Sequence, residues 1–230
     1  MHTDYPHIAS AGESALVLYL GAGIDPQTNA WVQLATEAIE QTLGADLVDL
    51  VPAYASILVI FRRDQSLPVI ARRIRAALPP PPEAASAAGK EVALPVYYAP
   101  ESGADLEALA RRAGLSVQDV IECHAGTVYQ VYAIGFAPGF AYLGQVDERI
   151  AAPRLATPRQ RVPRGSVAIA ERQTAVYPAP SPGGWNLIGR CPVPLFNPAA
   201  SPHMPVAVGD RVRFEPVSRA RFLELGGELE

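Results

Sequence analysis

The chain has 230 residues, of which 49% are apolar and 18% charged, and a net charge of −4. This composition supports a globular protein with one large or two modest cores, and its acidity argues against duplex nucleic acid, whose phosphates need a basic surface. Cys123 and Cys191 have neither the number nor the CxxC spacing of a disulfide framework or a zinc site, so reduced thiols are expected.

At the start of the chain, Met1-His-Thr-Asp-Tyr-Pro6 lacks the basic and apolar regions of a secretory signal. No window approaches the roughly 20 apolar residues of a membrane span, and a soluble cytoplasmic protein is the expectation. Ala15 to Leu20 predicts a strand. Asp25-Pro26 followed by Trp31, Leu34, Ala35, Ala38 and Ile39 predicts a helix with proline at its first position. Asp46 to Val51 and Tyr54 to Phe61 predict two further strands, Leu67 to Leu78 a second helix, and Val92 to Tyr98 a fourth strand. That order is the split βαβ arrangement of a ferredoxin-like sandwich. Four prolines and a run of small residues make 79–90 a Pro/Ala-rich loop or semi-rigid spacer between its last helix and last strand.

Asp105 to Ala113 and Ser116 to Cys123 predict two short helices, the second with Ser116 as N-cap. Beyond Thr127 come short apolar runs (Val128 to Ile134, Val167 to Ala170, Ala175 to Tyr177, Leu187 to Ile188, Arg211 to Phe214) punctuated by Pro and Gly. Short strands without crossover helices favour an all-β barrel or sandwich. We therefore expect an α+β protein, with an α/β domain at 1–98 and a β domain at 99–230 that begins with short helices.

Chemistry concentrates in the second half. Gly135-Phe-Ala-Pro-Gly-Phe-Ala-Tyr-Leu-Gly144 combines flexible, rigid and aromatic residues at a density that describes shaped loops. Pro-Arg recurs at a spacing of five, placing Arg154, Arg159 and Arg164, with Arg161 between, in a stretch free of Asp and Glu. Two readings stand: an anion clamp built by converging guanidiniums, or a solvated loop paired with acids elsewhere. Gly183-Gly184 beside Trp185 offers either an anion-binding backbone nest with an aromatic wall or a plain turn with a packing Trp. His124, at a helix end, is a candidate proton carrier or a partner of the helix dipole. Gln173, Thr174 and Tyr177 offer amide, hydroxyl and phenol groups at a strand end. Ser166 lacks a nucleophile-elbow pattern, no P-loop or dinucleotide fingerprint is present, and the histidines show no metal-ligand spacing.

Together, Gly135 to Leu143, the Pro-Arg series, Val162-Pro-Arg-Gly-Ser-Val-Ala-Ile169, Gln173-Thr174, Tyr177-Pro178 and Ser181-Pro-Gly-Gly-Trp-Asn-Leu-Ile-Gly-Arg190 resemble the bacterial 5-oxoprolinase B-subunit family. The family is also called allophanate hydrolase subunit 1 or sporulation-kinase inhibitor, and it shares the carboxyltransferase subdomain C and D module. With Gly12-Glu13 and Leu50-Val-Pro-Ala-Tyr54, the likeness runs from about Gly12 to Val217. It implies a cyclophilin-like β-barrel as the second domain and a chain that does not work alone. The implied partners are a sister cyclophilin-like barrel (the C-subunit) and a TIM-barrel-like protein (the A-subunit). The implied activity is ATP-dependent hydrolysis of 5-oxoproline to glutamate, with ATP shared with or bound by the partners. On this resemblance the catalytic candidates are His124, Arg159 and Gln173, and the substrate-binding candidates are Phe136, Arg154, Thr174, Tyr177, Gly183, Gly184 and Trp185. An apolar edge at Phe136, Phe140 and Trp185 is expected to face a partner.

The chain departs from the pattern at Arg164, Glu171-Arg172, Ala175 and Cys191, which crowd one edge of the expected pocket. The resemblance also admits two alternatives: a binding protein that inhibits a histidine kinase, and a carboxyltransferase-type component that processes urea-derived amides. Lys90, the only lysine, lacks a biotin-carrier setting.

Overall fold

The computed structural model describes residues 5–84 and 89–229. Residues 85–88 of the expected Pro/Ala-rich loop lie outside them, as do residues 1–4 and 230. The chain divides into two units, residues 1–87 and 88–230.

The first unit contains β1 (His7–Ser10), β2 (Ala15–Tyr19), α1 (Pro26–Leu43), β3 (Leu47–Pro52), β4 (Ser56–Phe61) and α2 (Leu67–Ala77). Asp25 caps α1 by accepting the Thr28 N–H at 2.7 Å, and Pro26 occupies the first turn, where no N–H is needed. The antiparallel sheet has the order β1-β2-β4-β3. Alternation along β2 and β4 turns Leu16, Leu18, Ile57, Val59 and Phe61 into a core with Val32 and Ile39 of α1 and Ile70 and Ile74 of α2.

The split arrangement is present with one substitution of strand. The edge beside β2 is filled by β1, which sequence reasoning missed, and not by the strand expected at Val92 to Tyr98. A short loop closed by Ala11 N–H to Ala15 O (2.9 Å) brings β1 back onto β2 at little entropic cost. The prolines after α2 are held on α1, since Trp31 Nε1–H donates to Pro79 O (2.8 Å) and Gln27 Nε2–H to Pro82 O (2.7 Å).

The second unit runs β5 (Glu91–Val96), α3 (Leu106–Ala113), α4 (Val117–Ala125), β6 (Val128–Ile134), β7 (Ala141–Gly144), β8 (Arg159–Val162), β9 (Ser166–Ala170), β10 (Gln173–Val176), β11 (Ser181–Gly183), β12 (Asn186–Arg190), β13 (Arg211–Pro216) and α5 (Arg219–Glu224). Ser116 and Asp119 form a reciprocal capping box at the start of α4. Seven strands form one sheet in the order β12-β9-β10-β7-β6-β13-β5, and β8 pairs with β11 apart from it. Just past β5, Tyr97 exchanges two 2.9 Å backbone hydrogen bonds with Arg190 of β12. That bridge joins the two edge strands and closes the sheet into a barrel.

Because β5 pairs in parallel with β13, from Glu91↔Arg211 to Val96↔Pro216, it belongs to the barrel. The division between the units therefore precedes it, at 87/88.

Alternation along β9 and β10 separates two apolar clusters. Val167, Ile169 and Val176 join Leu94, Val131, Leu143, Ile188, Val212 and Phe214, sealed by Leu106, Leu109 and Val120 of the helices. On the opposite face, Ala168, Ala170, Ala175 and Tyr177 pack with Phe140, Val162, Trp185 and Leu187. Most of the candidate site residues gather around this second cluster.

Close backbone approach explains Gly103, where a Cβ would overlap the Ile188 backbone of β12. Gly103→Ala is expected to destabilise the barrel by about 1–3 kcal/mol, the usual cost of overpacking. Gly23→Ala, whose Cβ meets nothing within 4 Å, serves as the control in the same urea titration.

Candidate functional site

The connection from β6 to β7 is a tight loop held by Gly135 N–H to Phe140 O (3.1 Å) and Phe140 N–H to Ala137 O (3.0 Å). Gly139 takes φ +88°, and Phe136 takes φ +70°, unusual for a residue with a side chain. That conformation costs of order 1–3 kcal/mol, and Phe136 stands 63% exposed at the rim of a recess. Phe140 turns the other way into the apolar cluster. Its ring meets Tyr142, Tyr177 and Trp185 edge-to-face at centroid distances of 4.9, 5.3 and 5.7 Å.

The recess has a volume of about 110 Å³ and is lined by Phe136, Phe140, Tyr142, Arg154, Tyr177, the Pro182-Gly183-Gly184 turn and Trp185. The Arg154 guanidinium carbon lies 5.9 Å from the Trp185 ring centroid, within cation–π range. Among the described residues Arg154 has no carboxylate partner. Burial raises the pKa of Tyr177, and of Tyr142, while nearby Arg154 opposes the rise in both. Both phenols therefore stay protonated at neutral pH and can donate hydrogen bonds. Among the described residues, no group of three or more His, Cys, Asp or Glu is placed to hold a metal ion.

Six of the expected site residues thus share one space: Phe136, Arg154, Tyr177, Gly183, Gly184 and Trp185. The other four lie elsewhere. Arg159 pairs with Asp105 at 2.7 Å and donates to Trp185 O at 3.4 Å, so it holds the recess from behind. Gln173 opens β10 on the same face as Tyr177 but about 13 Å along the strand. His124 and Thr174 are fully buried. The Thr174 hydroxyl donates to Ala168 O (3.0 Å) and so accepts from His124 Nε2–H (2.8 Å), while His124 Nδ1 accepts from the Tyr98 hydroxyl (2.7 Å). Burial holds the His124 pKa down at about 3. A neutral, doubly engaged imidazole in the core is a structural element and does not reach the recess.

Two further expectations change. Neither Gly183 nor Gly184 has positive φ, so the αR-αL backbone of a nest is not formed. Gly183 is needed for another reason, since a Cβ there would overlap the Tyr177 hydroxyl. The expected apolar edge is mostly internal, with Phe140 and Trp185 buried and Phe136 alone exposed. Sequence reasoning missed Asp105 and Tyr142. Period-two spacing from Phe140 could have found Tyr142, whereas nothing local marks Asp105 as the partner of Arg159.

A profile of the carboxyltransferase domain, subdomain C and D, matches residues 6–206. The chain is 37% identical to the 5-oxoprolinase B-subunit of Bacillus subtilis (strain 168) over 226 residues, covering 94% of each protein. It belongs to the 5-oxoprolinase B-subunit family. A second family member, the 5-oxoprolinase B-subunit of Escherichia coli O157:H7, is 38% identical over 89% of this chain and 93% of its own length. Among solved structures, TTHA0988 superposes with a TM-score of 0.78 at 36% identity over 89% of this chain. The match spans 40% of that longer protein.

Two outcomes follow from this geometry. Arg159→Ala leaves the largely buried Asp105 carboxylate without its cation and is expected to cost about 1–3 kcal/mol in urea denaturation. The pKa of His124 is lower in the folded chain than in the unfolded one, so the unfolded state takes up the proton first. Its contribution to stability is full above about pH 6.5 and is lost toward pH 3, with a limiting slope of about 1.4 kcal/mol per pH unit. Unfolding free energies measured between pH 7 and pH 5 should fall less steeply in His124→Gln than in the parent.

Proposed function

We propose that the chain is the B-subunit of an ATP-dependent 5-oxoprolinase and that the aromatic recess of its barrel holds the 5-oxoproline ring. The observation that carries this is the convergence of one guanidinium, two protonated phenols and edge-to-face aromatic walls on a space of about 110 Å³. Drug-sized ligands need roughly 300–1,000 Å³, so the space suits a small metabolite. Arg154 supplies a fork for the substrate carboxylate, Trp185 and Phe140 cover the ring, and the phenols of Tyr142 and Tyr177 are donors for the lactam oxygen.

Ring opening adds water across the lactam C–N bond, with oxygen going to the carbonyl carbon and a proton to the departing nitrogen. A phenol that already donates to the carbonyl oxygen stabilises the negative charge that develops there. The recess contains no His, Asp or Glu among the described residues, and His124 is sealed in the core, so the general base comes from a partner protein. The recess is also too small for a nucleotide. ATP then belongs to a site elsewhere in the assembly, in keeping with the sister barrel and the TIM-barrel-like protein as partners and with the names of the relatives, which mark each as one part of a larger enzyme.

Reconstitution with these partners and measurement of ATP-dependent glutamate release tests this. The isolated chain should be inactive. In the complex, Arg154→Ala should raise the KM for 5-oxoproline at least tenfold, about 1.4 kcal/mol of binding, without lowering the melting temperature. An unchanged KM with the complex intact would remove the recess from the reaction.

A further inference from the structure

Arg154 is the one cation among the residues lining the aromatic recess, and its long side chain is exposed. With no carboxylate partner among the described residues, its place over Trp185 depends on where the backbone delivers it. A guanidinium on a flexible stem binds a carboxylate best when its fork is held beforehand, because the ordering must otherwise be supplied on binding.

The backbone is anchored on either side of it. Ala152 exchanges backbone hydrogen bonds with Glu171 at the β9–β10 turn, and Leu155 N–H donates to Gly184 O at 2.7 Å. These two anchors use main-chain groups alone. Between them stands Pro153, which has no N–H to donate, and its carbonyl accepts from the side chain of Asn186 at 2.9 Å. The same Nδ2 donates to Ile169 O at 3.0 Å, so both amide hydrogens are spent. Asn186 opens β12 opposite Ile169 of β9 and is only 4% exposed. Asparagine is disfavoured in strands and costly to bury, so its presence marks a requirement that an apolar residue cannot meet. Trp185 and Asn186 are consecutive. The first forms the wall beside the guanidinium and the second holds the carbonyl just before Arg154, so one dipeptide fixes ring and cation relative to each other.

We propose that Asn186 is a positioning residue for substrate binding, whose amide aims Arg154 at the substrate carboxylate without touching the substrate itself. The assignment rests on the aromatic recess as the 5-oxoproline site. An amide that only tied β12 to β9 through Ile169 would add stability and leave Arg154 where it is.

Two measurements separate these roles. The first uses the full chain alone and needs no turnover. An arginine beside an indole face is shifted by the ring current, so NMR of the arginine Nε–H groups, with the Arg154 signal assigned by its loss in Arg154→Ala, reports whether the guanidinium stays over Trp185. Asn186→Leu, close to asparagine in shape but without a donor, should move that signal toward the position of ordinary exposed arginines. Asn186→Thr suits a strand and keeps one donor for the two carbonyls, so it should give a smaller displacement and serves if the leucine variant does not fold. The second measurement is turnover in the complex with the partner proteins. Asn186→Leu should raise the KM for 5-oxoproline about threefold or more with kcat nearly unchanged, and should add nothing in an Arg154→Ala background, because the two residues act as one unit. An Arg154 signal at its parental position in the folded Asn186 variants would overturn the proposal. So would a KM that Arg154→Ala raises and Asn186→Leu does not, or effects of the two changes that simply add. If Arg154→Ala itself leaves the KM unchanged, the recess reading fails, while the arginine signal still decides whether Asn186 holds Arg154.

Discussion

One carboxylate organises the barrel face that carries the recess. Asp105 stands at the N-cap of α3 without capping it by its side chain. Instead Oδ2 accepts the Leu187 N–H at 2.7 Å, the Asp105 N–H donates to Leu187 O at 2.9 Å, and Oδ1 meets the Arg159 guanidinium at 2.7 Å. Helix α3, strand β12 and strand β8 are thereby tied at one point. Trp185 lies two residues before Leu187, and its carbonyl also receives Arg159, so the indole wall is set by this knot. A charge-assisted pair with low exposure on both sides is stiffer than a surface pair, so the indole is held at a fixed angle.

A second polar chain fixes the other side of β10. Tyr98, His124, Thr174 and the Ala168 carbonyl form a line in which every hydroxyl and ring nitrogen is engaged. Since the Thr174 hydrogen is spent on Ala168, the imidazole must carry its proton on Nε2. Phe214 stacks on that ring at 4.6 Å. Satisfied polar chains of this kind fix strand register in an apolar interior, and here the strand concerned leads directly to Tyr177.

Much of the architecture was legible because it is written in local patterns. The Asp-Pro start of α1, the serine cap of α4 and the largely apolar seven-residue β6 are each decided by neighbours a few positions away. The edge strand of the first sheet was not, because His7 to Ser10 is short and half-polar, and nothing local says that Val92 to Val96 prefers β13 to β2. The same division holds for the recess. Aromatic and glycine residues near Phe140 and Trp185 marked the right loops, but Arg154, Arg159, Arg161 and Arg164 look alike in sequence. Their separate destinies, one over an indole, one on a carboxylate and two beside Arg190, depend on partners that the chain supplies from far away. His124 misled for a similar reason: a histidine suited to acid–base work and one sealed in a core share the same one-letter signal.

The parallel pairing of β5 with β13 joins Glu91 to Arg211, the first and last strands of the barrel unit. Non-local contacts of this kind are slow to form because a long loop must close before they repay its entropy. A ribosome would release most of the barrel before its final stave exists, whereas the first unit completes its sheet by Phe61. Until β13 emerges, the half-built cylinder exposes ladder groups along β6 that are open to mispairing. Timing of synthesis, and the presence of anything that shields that open seam, would then set the yield of properly folded protein.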